Sequence, residues 1–203
     1  MSNYVVSISR EFGSGGRLIG KKLAASLGIP CYDRTLIQKT AEKSGLSPDF
    51  IARAEERARS RFHLSIAPIG IGVPAFANQG VPVSHQAFFA QAEVIRELAD
   101  EGPCVIVGRC AGWVLREQPH VLNVFIHADR QERLRRAVEE YGIPQDQAAS
   151  VLHRFDHRRS NFYHANTGRS WREREGYHMV LDSGLLGVEL CSQLLVAAAQ
   201  SEG

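Results

Sequence analysis

The sequence predicts an α/β fold in which helices cover both faces of a mostly parallel sheet. Short apolar runs rich in β-branched residues alternate with segments of helical periodicity, and this alternation is typical of parallel sheets. A glycine-rich stretch, residues 13–17, joins the first apolar run to the first helical segment. With 203 residues and 44% hydrophobic content, the chain can bury one sizeable core, so we expect a single domain over residues 1–203.

Three apolar runs predict buried strands most clearly, at residues 4–8, 104–107 and 121–126. A fourth strand is predicted at 178–181 and a short one at 30–32. In sheets of this kind, ligands bind at the carboxyl ends of the strands. The residues that directly follow these runs are therefore the first candidates for a functional site.

Helical periodicity predicts helices around these strands. They cover residues 17–27, 48–61, 86–100, 111–117, 130–141 and 185–199. Within 45–100, residues 62–83 are rich in glycine and proline and predict a flexible loop. Residues 153–174 carry six arginines against two acidic residues. These two segments interrupt the regular alternation of strands and helices.

Composition excludes several classes of protein. The formal net charge of +2 is too small to indicate nucleic acid as a partner. The sequence contains no 18-residue apolar run, so a membrane span is not predicted. The amino-terminal residues do not have the pattern of a secretory signal. The four cysteines form no C-x-x-C pair, so we expect reduced thiols, with Cys104 buried. These observations predict a cytoplasmic protein.

The glycine-rich stretch is a candidate phosphate-binding loop. Strand, closely spaced glycines and helix form a cradle in which backbone N–H groups bind phosphate. The common pattern is G-x-x-x-x-G-K-[ST]. With Gly15 as its second glycine, Arg10 takes the first glycine position, Gly16 the lysine position and Arg17 the Ser/Thr position. The match is partial, and a tight βα turn without a ligand is the alternative.

Longer segments resemble a known family. ISREFGSGGRLIGKKLA, GIPCYD, QAEVIRELADEGPCVIVGRCAGWVL and NTGRSWREREGYHMVLDS stand in order along the chain, each near a strand end. They resemble the cytidylate kinase-like family, a branch of the P-loop nucleoside monophosphate kinases. The resemblance implies a three-layer P-loop fold with a five-stranded parallel sheet, a monophosphate-binding helical insert at 45–100, and a lid at 153–174. It also implies γ-phosphoryl transfer from ATP, with Mg²⁺, to a nucleotide acceptor such as CMP or dCMP.

The resemblance assigns roles to individual residues. Donor phosphates are expected at Gly13, Ser14, Gly15, Gly16, Arg17 and Lys21. The acceptor is expected at Asp33, Arg109, Asp156, Arg159 and Asp182. Candidate catalytic cations are Arg17, Arg158 and Arg159, because guanidinium groups grip phosphate in pairs and stay charged. No metal-ligating cluster is predicted, although Asp33 is the best spare acid for Mg²⁺.

Three positions depart from the family pattern. Gly16 replaces the loop lysine, Val107 replaces the acid expected at the end of its strand, and Cys110 replaces the aspartate after Gly108-Arg109. A second hypothesis is therefore a nucleotide-binding regulatory protein with little catalysis. A third, RNA binding through the arginines of 153–174, has little support from the net charge.

Several candidates also have a purely structural interpretation. Arg109 could brace a helix, and Asp33 and Asp182 could each cap one. His153 and His157 have a spacing that can bind a metal, but local hydrogen bonding explains them equally well. The arginines of 130–136 are interpreted as a solvated helix face, and Trp171 and Tyr177 as packing residues.

Overall fold

The computed structural model describes residues 4–57 and 83–201. Its strands are β1 (Val5–Arg10), β2 (Cys31–Tyr32), β3 (Cys104–Val107), β4 (Val121–His127) and β5 (Met179–Asp182). They form one sheet in the order β2-β3-β1-β4-β5, and each neighbouring pair is parallel. The predicted five-stranded parallel sheet is confirmed.

Eight helices belong to the described residues, and a 3₁₀ turn (Arg174–Gly176) precedes β5. The helices are α1 (Gly16–Leu27), α2 (Thr35–Ser44), α3 (Pro48–Arg57), α4 (Val83–Glu101), α5 (Ala111–Val114), α6 (Arg130–Glu139), α7 (Gln145–Thr167) and α8 (Ser183–Ser201). Most of the loop predicted at 62–83, and the end of the helix predicted at 48–61, lie outside the described residues.

Two apolar clusters cover the two faces of the sheet, because successive strand side chains point to opposite sides. On one face, Val6 and Ile8 of β1 pack with Leu23 of α1 and Leu195 of α8. On the other face, Val5 of β1 belongs to the cluster that contains the buried side chains of α4. The result is a three-layer arrangement, helix on sheet on helix, as the sequence predicts.

The second cluster also confirms three smaller predictions. Trp171 is buried edge-on against Phe125, with ring centroids 5.3 Å apart. The hydroxyl of Tyr177 donates a hydrogen bond to the Trp171 carbonyl at 2.8 Å. Cys104 is buried, and all four cysteines are free thiols. Trp171 and Tyr177 are therefore packing residues.

Two elements differ in length from the prediction in ways that matter for function. β1 extends beyond Ile8 because Ser9 and Arg10 pair with Phe125 and Ile126 of β4. Arg10 therefore belongs to the sheet and not to the following loop. Residues 153–167, predicted as part of a basic segment, form the larger part of the regular helix α7, which has 23 residues.

Although no membrane span is predicted above, helix α8 is long and apolar enough to cross a membrane by length and composition alone. In the structure, however, Cys191, Leu195 and Ala199 pack in the core against the sheet. Glu189 in the same helix forms an ion pair with Lys22 of α1 at 2.8 Å. These contacts make α8 an outer-layer helix of the domain.

Candidate functional site

A cleft of about 1220 Å³ lies at the carboxyl ends of β1, β2 and β3. Its described lining has seven basic and four acidic side chains. The basic residues are Arg10, Arg17, Lys21, Arg34, Arg109, Arg158 and Arg159, and the acidic ones are Glu11, Asp33, Asp49 and Glu140. An excess of positive charge in a concave site raises the local concentration of anions. The cleft is therefore the candidate ligand site.

The glycine loop, residues 11–17, borders this cleft and leads into α1. Gly13 and Gly15 have φ angles of 80° and 72°, a left-handed conformation that glycine adopts without strain. A Cβ on Gly13 would also lie 2.7 Å from the carbonyl oxygen of Arg133. Gly15 caps the first turn of α1, which faces the cleft and provides the positive end of a helix dipole.

Ser14 is fully buried and maintains the shape of the loop. Its hydroxyl donates to the carbonyl of Glu11 at 2.9 Å and accepts a hydrogen bond from the N–H of Gly16 at 3.4 Å. The hydroxyl of Ser183, at the start of α8, donates to the Ser14 carbonyl. Ser14 lies behind the cleft lining, so its expected contact with donor phosphates stays a prediction.

Three arginines from separate elements surround the carboxylate of Asp33, directly after β2. Arg17 Nε is 2.5 Å from it, Arg109 Nη1 3.5 Å and Arg10 Nη2 3.7 Å. The sequence singled out Arg17, Asp33 and Arg109, and the fold brings them together. Arg10 was missed as a site residue because its position corresponds to a glycine of the motif. One carboxylate compensates only part of this positive charge.

A second ion-pair network fixes the other side of the loop. Arg133 of α6 is 8% exposed and bonds both to Glu11 of the loop, at 2.9 Å, and to Asp156 of α7. Its Nε also donates to the carbonyl of Phe12 at 2.7 Å. Arg172, which follows α7 in the chain, also forms an ion pair with Glu11, with Nη2 and Oε1 2.7 Å apart. Loop, α6 and α7 are thus joined by buried charges.

Arg136, one turn after Arg133, binds the backbone of the glycine loop and of the start of α8. It is 4% exposed, and its guanidinium donates to the Ser183 carbonyl at 2.9 Å and to the Gly13 carbonyl at 3.5 Å. The interpretation of 130–136 as a solvated face is therefore wrong for Arg133 and Arg136. It holds for the exposed Arg135, which pairs with Glu132 and Glu139. The arginine-rich composition gave no signal for which side chains turn inward.

Arg158 and Arg159 of α7 both line the cleft. Arg159 Nη1 donates to the carbonyl of Arg10 at 3.1 Å and lies 3.7 Å from Asp156. Burial lowers the pKa of Arg159 to about 10, against the attraction of Asp156, with Arg109 and Arg133 adding to the decrease. Arg159 remains a cation at neutral pH. Both residues therefore add positive charge opposite the glycine loop.

An aromatic wall, Phe12, Tyr141 and Phe155, forms one side of the cleft. Phe12 stacks on Phe155 with centroids 4.6 Å apart and meets Tyr141 edge-on at 5.7 Å. Tyr141 is 45% exposed. Burial of its hydroxyl and the charge of Glu140 raise the pKa of Tyr141, although Arg136, Arg159 and a Gly15 backbone hydrogen bond oppose this. The wall offers an aromatic surface beside the glycine loop.

Two predicted acceptor ligands, Asp156 and Asp182, do not line the cleft. Asp156 accepts a hydrogen bond from Phe12 N–H and pairs with Arg133. Asp182 accepts hydrogen bonds from Gly184 and Leu185, at 2.9 and 3.2 Å, at the start of α8. Its capping interpretation is the one that the contacts favour. Roles for either residue in acceptor binding stay predictions.

No group of three His, Cys, Asp or Glu side chains could share a metal ion within residues 4–57 and 83–201. The rings of His153 and His157 stack with centroids 5.8 Å apart. His157 also hydrogen-bonds Asn161 at 3.1 Å. Local contacts therefore account for the histidine pair.

The strand order, the glycine loop before α1 and the basic strand-end cleft together define a P-loop kinase fold. The model of the cytidylate kinase-like family matches residues 5–185, and the chain belongs to that family. This confirms the resemblance found in the sequence. A search of curated proteins found no significant match.

Solved structures agree with this fold. An uncharacterized protein from Eubacterium ventriosum ATCC 27560 aligns with a TM-score of 0.73 at 22% identity, over 98% of this chain and 99% of the other. Shikimate kinase from Bacteroides thetaiotaomicron aligns with a TM-score of 0.55 at 15% identity, over 98% and 99%. Shikimate kinase from Acinetobacter baumannii, in complex with shikimate, gives 0.51 at 14%, over 98% and 94%.

Proposed function

We propose that this chain transfers the γ-phosphoryl group of ATP to a small nucleotide acceptor, with CMP or dCMP as the leading candidates. The observation that carries this proposal is the convergence of Arg10, Arg17 and Arg109 on Asp33, beside the first turn of α1. Phosphoryl transfer needs the protein mainly to position the reactants and supply positive charge. Three guanidinium groups that share one carboxylate can do both.

In this proposal, the cleft has a donor side and an acceptor side. Donor phosphates would lie on Gly13–Gly16 and the start of α1, with Lys21 nearby. The acceptor phosphate would lie at Arg17 and Arg109, with Asp33 holding the two side chains in place. Arg158 and Arg159 would face the transferred phosphoryl group from α7. The aromatic wall would stack the donor base, since aromatic faces bind nucleobases.

The residues present do not fit a protein-held Mg²⁺. Arg17 replaces the Ser/Thr hydroxyl that binds the metal in the common motif. Asp33 is the predicted acid, but three guanidinium groups already surround it and would repel a divalent cation. Arginine side chains, and not a protein-bound metal, would therefore compensate the charge of the phosphates.

The direct test is ADP release from ATP in a coupled assay. We would offer the common ribonucleoside and deoxyribonucleoside monophosphates as acceptors, and shikimate as a non-nucleotide comparison. Turnover with a monophosphate, and much less with Arg109→Ala, is the expected result. If the chain binds ATP but releases no ADP with any monophosphate, the proposal is wrong.

A second candidate function is nucleotide binding without efficient catalysis. Gly16, Val107 and Cys110, which replace a lysine and two acids, favour it. Calorimetric binding of ATP together with undetectable turnover over the whole acceptor series would support this candidate. Robust turnover with one acceptor would reject it.

A further inference from the structure

Arg10, the last residue of β1, contacts Gly16, the first residue of α1. A Cβ on Gly16 would lie 2.6 Å from the Cβ of Arg10 and 3.1 Å from its Cγ. Cβ atoms in real structures essentially never lie within 3.0 Å of such a neighbouring heavy atom. Any residue larger than glycine at position 16 would therefore collide with the stem of Arg10, near its own backbone, where the side chain cannot swing away.

The other end of Arg10 lies against a second glycine. A Cβ on Gly108, directly after β3, would lie 2.1 Å from Nη1 of Arg10. The arginine therefore extends from the first turn of α1 to the end of β3. Its side chain lines the cleft and is 15% exposed, with Nη2 3.7 Å from Asp33. Gly16 thus makes room for the stem of Arg10, and Gly108 lies against the guanidinium of this largely buried side chain.

This geometry explains two of the three departures from the phosphate-loop motif, Arg10 and Gly16, as one exchange. In the common motif, a glycine ends the strand and the lysine that opens the helix reaches the β- and γ-phosphates. Here the strand ends in a cation, Arg10, and the helix opens with Gly16. The positive charge is supplied from the opposite side of the loop, and the lysine position must be empty to admit it.

We propose that Arg10 is the residue that contacts the terminal phosphates of the nucleotide in place of the missing lysine. This inference rests on the proposed phosphoryl transfer, because it names the cation of that same site. Its planar guanidinium can give paired hydrogen bonds to phosphate oxygens. Arg17 is the other candidate on the loop, but its side chain is 48% exposed and its Nε lies 2.5 Å from Asp33. It suits the acceptor side better.

The test uses calorimetric binding of ATP and of inorganic tripolyphosphate, neither of which needs turnover. Arg10→Met keeps an unbranched stem over Gly16 and removes the charge. We expect it to weaken binding of both probes by roughly 10- to 100-fold, as loss of a charge-assisted hydrogen bond does. Arg10→Lys should recover part of this loss. A purely structural role would leave the Arg10→Met variant unchanged for both probes, and that result would overturn the proposal.

The exchange itself is tested by a double variant. Gly16→Lys alone should bind as poorly as Arg10→Met, because the new stem collides with Arg10. Arg10→Gly combined with Gly16→Lys restores the first glycine and the lysine of the common motif and should bind both probes within about tenfold of the original protein. Circular dichroism and thermal unfolding establish that each variant is folded. A folded double variant whose losses simply add would overturn the exchange.

A matched control and a separate turnover assay keep the two proposals distinct. Lys22→Ala removes an exposed cation of α1 that pairs with Glu189, and it should leave binding unchanged. If no acceptor supports turnover but Arg10→Met loses tripolyphosphate binding, phosphoryl transfer fails and the role of Arg10 as the phosphate-binding cation stands. If turnover is found and Arg10→Met binds both probes normally, phosphoryl transfer stands and the role of Arg10 as the phosphate-binding cation fails.

Discussion

The carboxylate of Asp156 on α7 accepts a hydrogen bond from the backbone N–H of Phe12 at 2.7 Å, across 144 positions of the sequence. The glycine loop is therefore attached to a helix that lies far away in the chain. Arg133 completes the attachment, because it bonds to Asp156, to Glu11 and to the Phe12 carbonyl. The loop is held in shape before any ligand binds, which lowers the entropic cost of binding.

Removal of Arg133 should destabilise the whole domain. Arg133→Ala removes the buried cation that Glu11 and Asp156 share, and leaves them the exposed Arg172 and, for Asp156, Arg159. Because these cations remain, we expect a loss at or below the lower end of the about 3–5 kcal/mol that breaking a buried pair costs. Urea unfolding measures this loss. Arg135→Ala, on the exposed side of the same helix, is the matched control and should leave the midpoint close to that of the original protein. Equal midpoints for the two variants would contradict the buried network.

Asp33→Asn should make the cleft a stronger anion site while it weakens the fold. Three guanidinium groups lose their common counter-charge, so we expect a loss of about 1–2 kcal/mol in the free energy of unfolding, moderated by the exposure of Arg17. Inorganic phosphate should restore stability more in this variant than in the original protein. Thermal unfolding with and without phosphate is the measurement. The same phosphate shift in both proteins would refute the expectation.

Arg17→Ala should impair binding or turnover without a large loss of stability, because its side chain is half exposed. We expect a decrease of roughly tenfold in affinity for the nucleotide acceptor or in kcat/KM for that acceptor, the size typical for one charge-assisted contact. Arg116→Ala removes an exposed arginine that pairs with Glu117 outside the cleft lining, and it serves as the control. An Arg17→Ala variant with unchanged affinity and turnover would rule out a phosphate role for this residue.

Tyr141→Ala should distinguish nucleobase from phosphate recognition. If the aromatic wall stacks the base, this variant should weaken ATP binding by roughly 5- to 100-fold, because one stacking contact contributes about 1–3 kcal/mol. Tripolyphosphate has no base, so its binding should not change. Calorimetry with both probes decides between these outcomes. Parallel losses for ATP and tripolyphosphate would mean that Tyr141 acts on the loop instead.

Cys104 should resist alkylation in the folded protein. Burial raises the pKa of its thiol to about 12, so almost no thiolate exists at pH 8. A thiol count at pH 8 should show Cys104 protected in buffer and reactive in urea. Fast modification of Cys104 in the folded protein would contradict its burial.

The same shift predicts a decrease of stability at alkaline pH. The unfolded chain releases the Cys104 proton near pH 9, whereas the folded chain retains it to about pH 12. The stabilisation is therefore complete below pH 9 and is lost as the pH rises through this window. Cys104→Ala should reduce the slope of the unfolding free energy between pH 9 and pH 10.5. An unchanged slope would show that other groups dominate.

Local pattern was enough to predict much of the fold. The β-branched run of β3 and the glycines before α1 are features of a few adjacent residues, and each predicted strand is present within a residue or two. Arg17, Asp33 and Arg109 were also predictable, because each directly follows a strand end or the loop. Parallel strands bring their carboxyl ends to one edge, so proximity followed from topology.

By itself, then, the sequence determined the α/β class, the family and the position of the glycine loop. Only the tertiary structure decided which arginines serve the site. Arg133 and Arg136 turn inward because α6 packs beside the loop, more than 100 positions away in the chain. Arg10 crosses Gly16 because its strand continues two residues further along β4 than the apolar run indicates. Periodicity reports only the local chain, whereas burial of a charge depends on which distant carboxylate or carbonyl it meets.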